Sequence, residues 1–215
     1  MQTHIEDGHL AEFDTYEELS EFVGATPDEP AILSKLGLII KIRNGVEKAR
    51  LILDTKQSGV GSRAARYQRV ILPRLFDAIL RMLFLMSCMS GAPDEVLLAM
   101  VLDYTQAFWQ VPIRPEERKF FCTSAWLRGK RRYIAFLRAA QGSVMAPLLW
   151  CRIIALVMCL AQSLFSTSEM NLMCYVDDPL AIAIGDRTRV RAMTAAIVLT
   201  WEAHGVQTGL FERSV

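Results

Sequence analysis

Residues 172–184 hold a short apolar run, a tight polar break and a second apolar run. Leu172, Met173 and Cys174 lead in, Tyr175-Val176-Asp177-Asp178-Pro179 form the break, and Leu180 to Ile184 lead out. Runs this short on either side of such a break predict an antiparallel β-hairpin with two carboxylates at its tip. Adjacent acids flanked by apolar residues repel each other, and each loses hydration if it is even partly buried. A hard divalent cation bound through carboxylate oxygen relieves both costs. Taken alone, a solvated Asp-Asp turn explains the pair better. The metal reading requires a third carboxylate from elsewhere in the chain.

The chain has 215 residues, enough for one domain or two small lobes around a core. A hydrophobic content of 52% with 22% charged residues is globular rather than disordered. The net charge of +1 hides an asymmetry. The first thirty residues carry nine acidic side chains and no Lys or Arg, which leaves 24 basic against 14 acidic residues in the remainder. That surplus suits a polyanionic partner, and until chemistry is added it suits a soluble basic surface equally well. The five cysteines, Cys88, Cys122, Cys151, Cys159 and Cys174, contain no C-x-x-C pair. Their odd number and wide spacing disfavour a disulfide framework or a zinc site and favour a reducing compartment. With no secretory leader at the start, the expected location is intracellular, cytoplasm or nucleus, and not secreted. Residues 148–165 are the most membrane-like stretch. They contain Arg152 and Gln162 and follow Pro147, so a buried helix is expected and no membrane association.

Thr15 and Glu18 stand at capping-box spacing, which predicts a helix start with Tyr16, Leu19, Phe22 and Val23 on one face and Gly24 at its end. Residues 36–41 and 50–54 read as strands around the turn Arg43-Asn44-Gly45-Val46. This hairpin carries Lys41, Arg43, Lys48 and Arg50. Four cations there could grip phosphates, although protection of an exposed edge by charge is the better reading in isolation. Arg63, Arg66 and Arg69 extend the basic character. After Pro73, residues 75–86 present a wide apolar face and predict a core helix. The apolar run 96–102 ends on Asp103; it fits a central strand buried on both faces, with a helix as the alternative. Residues 120–127 and 133–137 read as a second hairpin. Gln141-Gly142 lies in a loop before the helix opened by Pro147. A last amphipathic helix, 188–204, turns Val190, Met193, Ile197, Val198 and Trp201 inward and stops at Gly205.

A strand ending on Asp103, a Gln-Gly loop before a helix and an Asp-Asp hairpin follow one another in this order. The block Asp103-Tyr104-Thr105-Gln106-Ala107-Phe108-Trp109-Gln110-Val111-Pro112 resembles the first catalytic block of reverse transcriptases. Gln141-Gly142 with Ala146-Pro147 resembles the second, and Tyr175-Val176-Asp177-Asp178 is similar to that family's Y-x-D-D box. The basic hairpin with Arg50-Leu51-Ile52-Leu53-Asp54 resembles the family's fingers segment, so the resemblance spans about residues 36–205, and four boxes in order carry far more weight than any one. It implies an α+β fold: a polymerase palm with an antiparallel sheet backed by helices, plus partial fingers, with no thumb or RNase H segment within these residues. The implied division is an acidic segment at 1–30 and a reverse transcriptase domain at 31–215, with fingers about 31–95 and 113–145 and palm about 96–112 and 146–215.

The resemblance further implies RNA-directed DNA synthesis by a retroelement enzyme. The partners would be an RNA or DNA template, a DNA primer and dNTP, with the missing thumb and RNase H on a longer parent chain. Two Mg²⁺ ions, with Mn²⁺ as the alternative, would sit on Asp103 and Asp177, and Asp178 would be a third ligand or a neighbour acting through them. Lys41, Lys48 and Arg50 would hold the triphosphate, with Lys41 and Arg43 not distinguished for that role. Gln141 would line the nucleotide pocket. Phe108 falls at the family's aromatic sugar gate, where a ring would clash with a ribose 2′-hydroxyl; the other reading is a plain core residue. The sequence departs from the pattern at Pro179, which removes a ladder donor and extends Asp178, and at Leu210-Phe211-Glu212-Arg213, where the family often presents a lysine. A catalytically inactive nucleic-acid-binding remnant of the same fold is the alternative function.

Overall fold

A computed structural model describes residues 1–43, 45–64 and 69–209, with the backbone alone at residues 43, 46 and 48. Asn44, Arg66 and residues 210–213 therefore lie outside the described residues. In chain order the elements are α1 (Gln2–Glu6), β1 (Leu10–Phe13), α2 (Tyr16–Phe22), β2 (Lys35–Arg43), β3 (Val46–Asp54), the single turn α3 (Val60–Arg63), α4 (Leu75–Cys88), β4 (Val96–Val101), β5 (Cys122–Leu127), β6 (Lys130–Phe136), α5 (Ala146–Gln162), β7 (Met170–Tyr175), β8 (Asp178–Gly185) and α6 (Arg187–Ala203). Two 3-10 turns, Ala107–Gln110 and Pro115–Phe120, lie between β4 and β5. Every strand pairing within the sheets is antiparallel, so the fold is α+β with antiparallel sheets, as the sequence implied. Among the described residues no helix is long and apolar enough to cross a membrane.

The chain divides into two units, residues 1–67 with 108–147, and residues 68–107 with 148–215. The first contains a three-stranded sheet of order β1-β6-β5 and the two-stranded β2-β3 ribbon. Arg128 and Gly129 join β5 to β6 with φ of 51° and 75°, the paired positive angles of a tight hairpin turn whose twist matches the strands. Alternation along β6 sends Ile134 and Phe136 to a core with Leu53 and Trp109, and Ala135 to a second core with Leu19 and Cys122. The capping box forms: Glu18 N–H donates to Thr15 Oγ1 at 3.2 Å, and Thr15 N–H to Glu18 Oε2 at 3.4 Å. Leu19 and Val23 are buried as expected, whereas Phe22 is exposed.

The sequence showed no period over residues 1–13, yet they supply α1 and the edge strand β1, in register Leu10↔Phe136. A four-residue strand is too short to display alternation; its pairing is dictated by β6. The acidic segment is also tied in by charge, with Arg132 paired to Glu12 at 3.2 Å and to Asp14, and Lys119 paired to Glu29.

The second unit is built on a sheet of order β4-β8-β7, with β8 in the middle. On one face Leu85 of α4 packs with Ile182 and Ile184 of β8. Helix α6 starts on Asp186, whose Oδ1 accepts from the N–H groups of Thr188 and Arg189 at 2.8 and 2.9 Å, and it buries all five residues expected of it.

Three expectations fail, the first being the buried helix over 148–165, since α5 buries Trp150, Ile154, Val157, Met158 and Ala161 but exposes Leu149, Ile153, Leu156 and Leu160. The run 96–102 is not a central strand buried on both faces, because β4 is an edge strand with Ala99 and Val101 exposed. Continuous apolar runs signal double burial in parallel sheets, and this sheet is antiparallel. Helix α4 is not a core helix throughout. Leu85 is buried, but Leu75, Phe76, Leu80 and Leu83 are exposed. Its apolar residues run round more of the cylinder than one sheet can cover, so Met82, Leu85 and Cys88, with Met89 at the helix end, form the stripe that packs.

Candidate functional site

The hairpin of β7 and β8 is the centre of the site. Its register runs Met173↔Leu180, Cys174↔Pro179 and Tyr175↔Asp178, which leaves Val176 and Asp177 as a two-residue turn. Val176 has a φ of 59°, a value that a β-branched residue adopts only at a cost. A positive φ at the first turn position is the pattern of a II′ turn, which normally uses glycine there. The structure holds this turn from behind. The buried Trp150 of α5 donates its indole N–H to Val176 O at 2.8 Å, and the Cys174 thiol approaches the same oxygen at 3.4 Å. Buried indole N–H groups usually find such a partner, and here one contact satisfies Trp150 and fixes the tip. Pro179 is accommodated within β8: its carbonyl accepts from Leu102 N–H at 2.9 Å, and Asp178 takes a strand conformation.

That last hydrogen bond also places the third acid. The pairing Val101↔Leu180, extended by Leu102 to Pro179, brings the chain at Asp103 to the same end of the sheet as Asp177 and Asp178. Asp103 is held from the other side by Gly209 N–H, which donates to its carbonyl at 3.1 Å, and the next residue bridges to Thr208. Beneath it, buried Tyr104 meets Trp150 edge-on at 5.2 Å and Trp201 at 5.0 Å, and its hydroxyl reaches Met158 Sδ at 3.5 Å. All three carboxylates are exposed at one end of the β4-β8-β7 sheet. The charge of Asp177 and Asp178 is felt by the sulfurs nearby. The Cys174 thiol is pushed up to about 12 by burial, with Cys151, Asp177 and Asp178 adding to it, and Cys151 is raised by burial and then by Asp177. Exposed carboxylates placed at one end of a sheet suit a hard cation. Among the described residues their oxygens do not come within the 4.8 Å mutual span that His4, Asp7 and His9 achieve.

The remaining expected site residues belong to the first unit. Phe108 lies in the 3-10 turn, half-buried, with its carbonyl accepting from Val111 N–H at 3.1 Å; the adjacent Trp109 takes the core position. Gln141 joins β3, since its carbonyl accepts from Leu53 N–H at 3.0 Å. Gly142 has a φ of 95°, and a Cβ there would come within 2.6 Å of both Ile52 Cγ2 and Leu53 O. On the β2-β3 ribbon Lys41 pairs with Lys48 and Ile39 with Arg50, so Lys41 and Arg50 are exposed diagonal neighbours.

A family model described as reverse transcriptase (RNA-dependent DNA polymerase) matches residues 68–208. The chain belongs to the reverse transcriptase family. The matched span contains Asp103, Phe108, Gln141, Gly142 and the Tyr175–Asp178 box of this reverse transcriptase, while Lys41, Lys48 and Arg50 precede it. Comparison with curated proteins gives no match. Sequence reasoning missed the groups that hold the acids in place: Trp150, Tyr104 and the segment 207–209. Trp150 on a helix expected to be buried reads as ordinary core, and only the tendency of a buried indole N–H to find a partner hints at more.

Proposed function

We propose that this chain carries the nucleotidyl-transfer site of an RNA-directed DNA polymerase, which adds dNTP to a primer 3′-hydroxyl on an RNA or DNA template. The observation that supports it most is that the Asp177–Asp178 tip and the end of β4 at Asp103 lie at the same end of one sheet. In this reading Asp103 and Asp177 hold two Mg²⁺ ions, with Asp178 beside them. Bound divalent ions supply charge neutralisation of the phosphates and a lowered pKa for the attacking hydroxyl.

The protein's own part is placement. Trp150 and the Cys174 thiol hold the turn carbonyl of Val176, so the acids project from a fixed tip. Gly209 and Tyr104 fix the backbone at Asp103. Phe108 excludes a ribose 2′-hydroxyl. Lys41 and Arg50 offer exposed cations to the triphosphate, and Lys48 is assigned by resemblance. Gln141 lines the nucleotide pocket. Residues 96–112 and 146–215 act as palm, and 31–95 and 113–145 as fingers.

Primer extension by the purified chain on a primed RNA template tests the proposal. Mg²⁺-dependent dNTP incorporation is expected. Binding of primer-template with no extension at any divalent-ion concentration would favour a non-catalytic nucleic-acid-binding remnant.

A further inference from the structure

The first nine residues contain two of the three histidines in the chain, and the fold brings them together. His4 stands on α1, Asp7 caps that helix, Gly8 reverses the chain with a φ of 70°, and His9 leads into β1. The turn is built by hydrogen bonds: Asp7 N–H to Thr3 O at 2.8 Å, Gly8 N–H to Ile5 O at 3.0 Å and His9 N–H to His4 O at 2.9 Å. It is anchored to the strand system by Leu137 N–H, which donates to His9 O at 2.9 Å. Both imidazoles stack on Trp109, at centroid distances of 4.3 and 5.4 Å and interplanar angles of 21° and 18°. Trp109 is itself in the core and stacks on Phe136. The two rings therefore rest on a fixed aromatic floor.

His4 Nδ1 and His9 Nδ1 are 3.3 Å apart. A tetrahedral zinc ion with Zn–N bonds of about 2.0–2.1 Å sets two imidazole nitrogens about 3.3–3.4 Å apart. An Asp7 carboxylate oxygen and one ring nitrogen from each histidine all lie within 4.8 Å of one another, and Asp7 is exposed, which leaves that side open to solvent. We propose that His4, Asp7 and His9 form a binding site for a divalent transition metal ion, with Zn²⁺ the best match, which clips the α1 turn to the start of β1. Two imidazoles and one carboxylate suit Zn²⁺, Co²⁺ or Cu²⁺, whereas Mg²⁺ prefers oxygen alone. A water completes the four-coordinate shell. The site lies within the first unit and uses none of the three aspartates assigned to nucleotidyl transfer. It stands or falls independently of the polymerase reading. The competing explanation for the 3.3 Å approach is a plain imidazole–imidazole hydrogen bond.

The test uses tag-free 215-residue protein and a chromophoric chelator competing for Zn²⁺, with Co²⁺ absorption in the visible as a second readout. One equivalent of Zn²⁺ is expected, with His9→Gln weakening binding at least about tenfold because a direct ligand is lost. His204→Gln should leave binding unchanged, since His204 sits at the far end of α6. Asp7→Asn removes an exposed side chain and keeps the turn, so it reports on ligation if His9→Gln is poorly folded; it should weaken binding and alter the Co²⁺ spectrum. Histidine NMR resonances should shift on Zn²⁺ addition for His4 and His9 and not for His204. No stoichiometric Zn²⁺ uptake, or uptake that survives both His9→Gln and Asp7→Asn, overturns the proposal in favour of the hydrogen bond.

Discussion

Replacing Gly142 by Ala tests how the Gln-Gly loop is held against β3. The new Cβ would meet Ile52 Cγ2 and the backbone oxygen of Leu53, each at 2.6 Å. The side-chain methyl can turn away, but Leu53 O belongs to the paired strand β3 and cannot move alone. Two costs combine. A residue with a Cβ at a φ of 95° is strained by about 1–2 kcal/mol, and overpacking costs about 1–3 kcal/mol. Loss of glycine's freedom in the unfolded chain offsets about 0.4–1 kcal/mol of this. The net expectation is a destabilisation of about 2–4 kcal/mol. Gly129→Ala is the control, because Gly129 has a φ of 75° with nothing within 4 Å of the new Cβ. It bears the strain alone, about 1 kcal/mol after the same offset. Urea denaturation followed by far-UV circular dichroism reads both. If Gly142→Ala is no more destabilising than Gly129→Ala, the contact with β3 is not what requires glycine there.

Three further outcomes are expected. Trp150→Phe keeps most of the buried ring but leaves Val176 O without its indole partner, and should cost about 1–2 kcal/mol in urea denaturation; no change would mean that the turn carbonyl is not held by this bond. Phe108→Ala should raise incorporation of rNTP relative to dNTP in a competition assay, and an unchanged ratio would remove Phe108 from sugar selection. Cys122 is fully buried and its thiol is pushed up from 9.0 to about 12 by burial. The unfolded chain therefore loses this proton before the folded one, and stability should fall as the pH rises from about 9 to about 12. Cys122→Ala should flatten that slope in urea midpoints measured across the window, and an unaltered slope would contradict the assignment.

The parts of the fold that the sequence disclosed are those where local chemistry and tertiary structure agree. Thr15 and Glu18 declare the start of α2, and the spacing of Val190, Met193, Ile197, Val198 and Trp201 declares the buried face of α6. The acid-tipped hairpin could be read because its two strands adjoin in sequence. What stayed hidden depends on partners distant in the chain. Strand β1 exists because β6 lies beside it, more than a hundred residues later, and four residues carry no period of their own. The apolar run before Asp103 could not reveal that β8, and not β4, takes the central place. Helix α4 showed how much of its surface is apolar, but not which stripe a sheet would cover.

The candidate site divides in the same way. The acids announce themselves as charge in apolar surroundings, and their order along the chain pointed to the family. Trp150 and Tyr104, which hold the acids in place, look like any buried aromatics until a hydrogen-bond partner is required of them. The II′ pattern at Val176 was equally invisible, since valine is a poor choice for positive φ on propensity alone. The histidine pair at residues 4 and 9 gave no signal either, because a five-residue separation becomes a 3.3 Å approach only once Gly8 has reversed the chain.

In the proposed reading Asp103 and Asp177 act together in nucleotidyl transfer. Single-turnover primer extension with Mg²⁺, run beside a primer-template binding measurement, tests it most directly. Asp103→Asn and Asp177→Asn are each expected to bind primer-template as the parent chain does and to lose at least about 10³-fold in rate, which corresponds to about 4 kcal/mol of transition-state charge stabilisation. Extension at the parent rate by either variant would contradict the account.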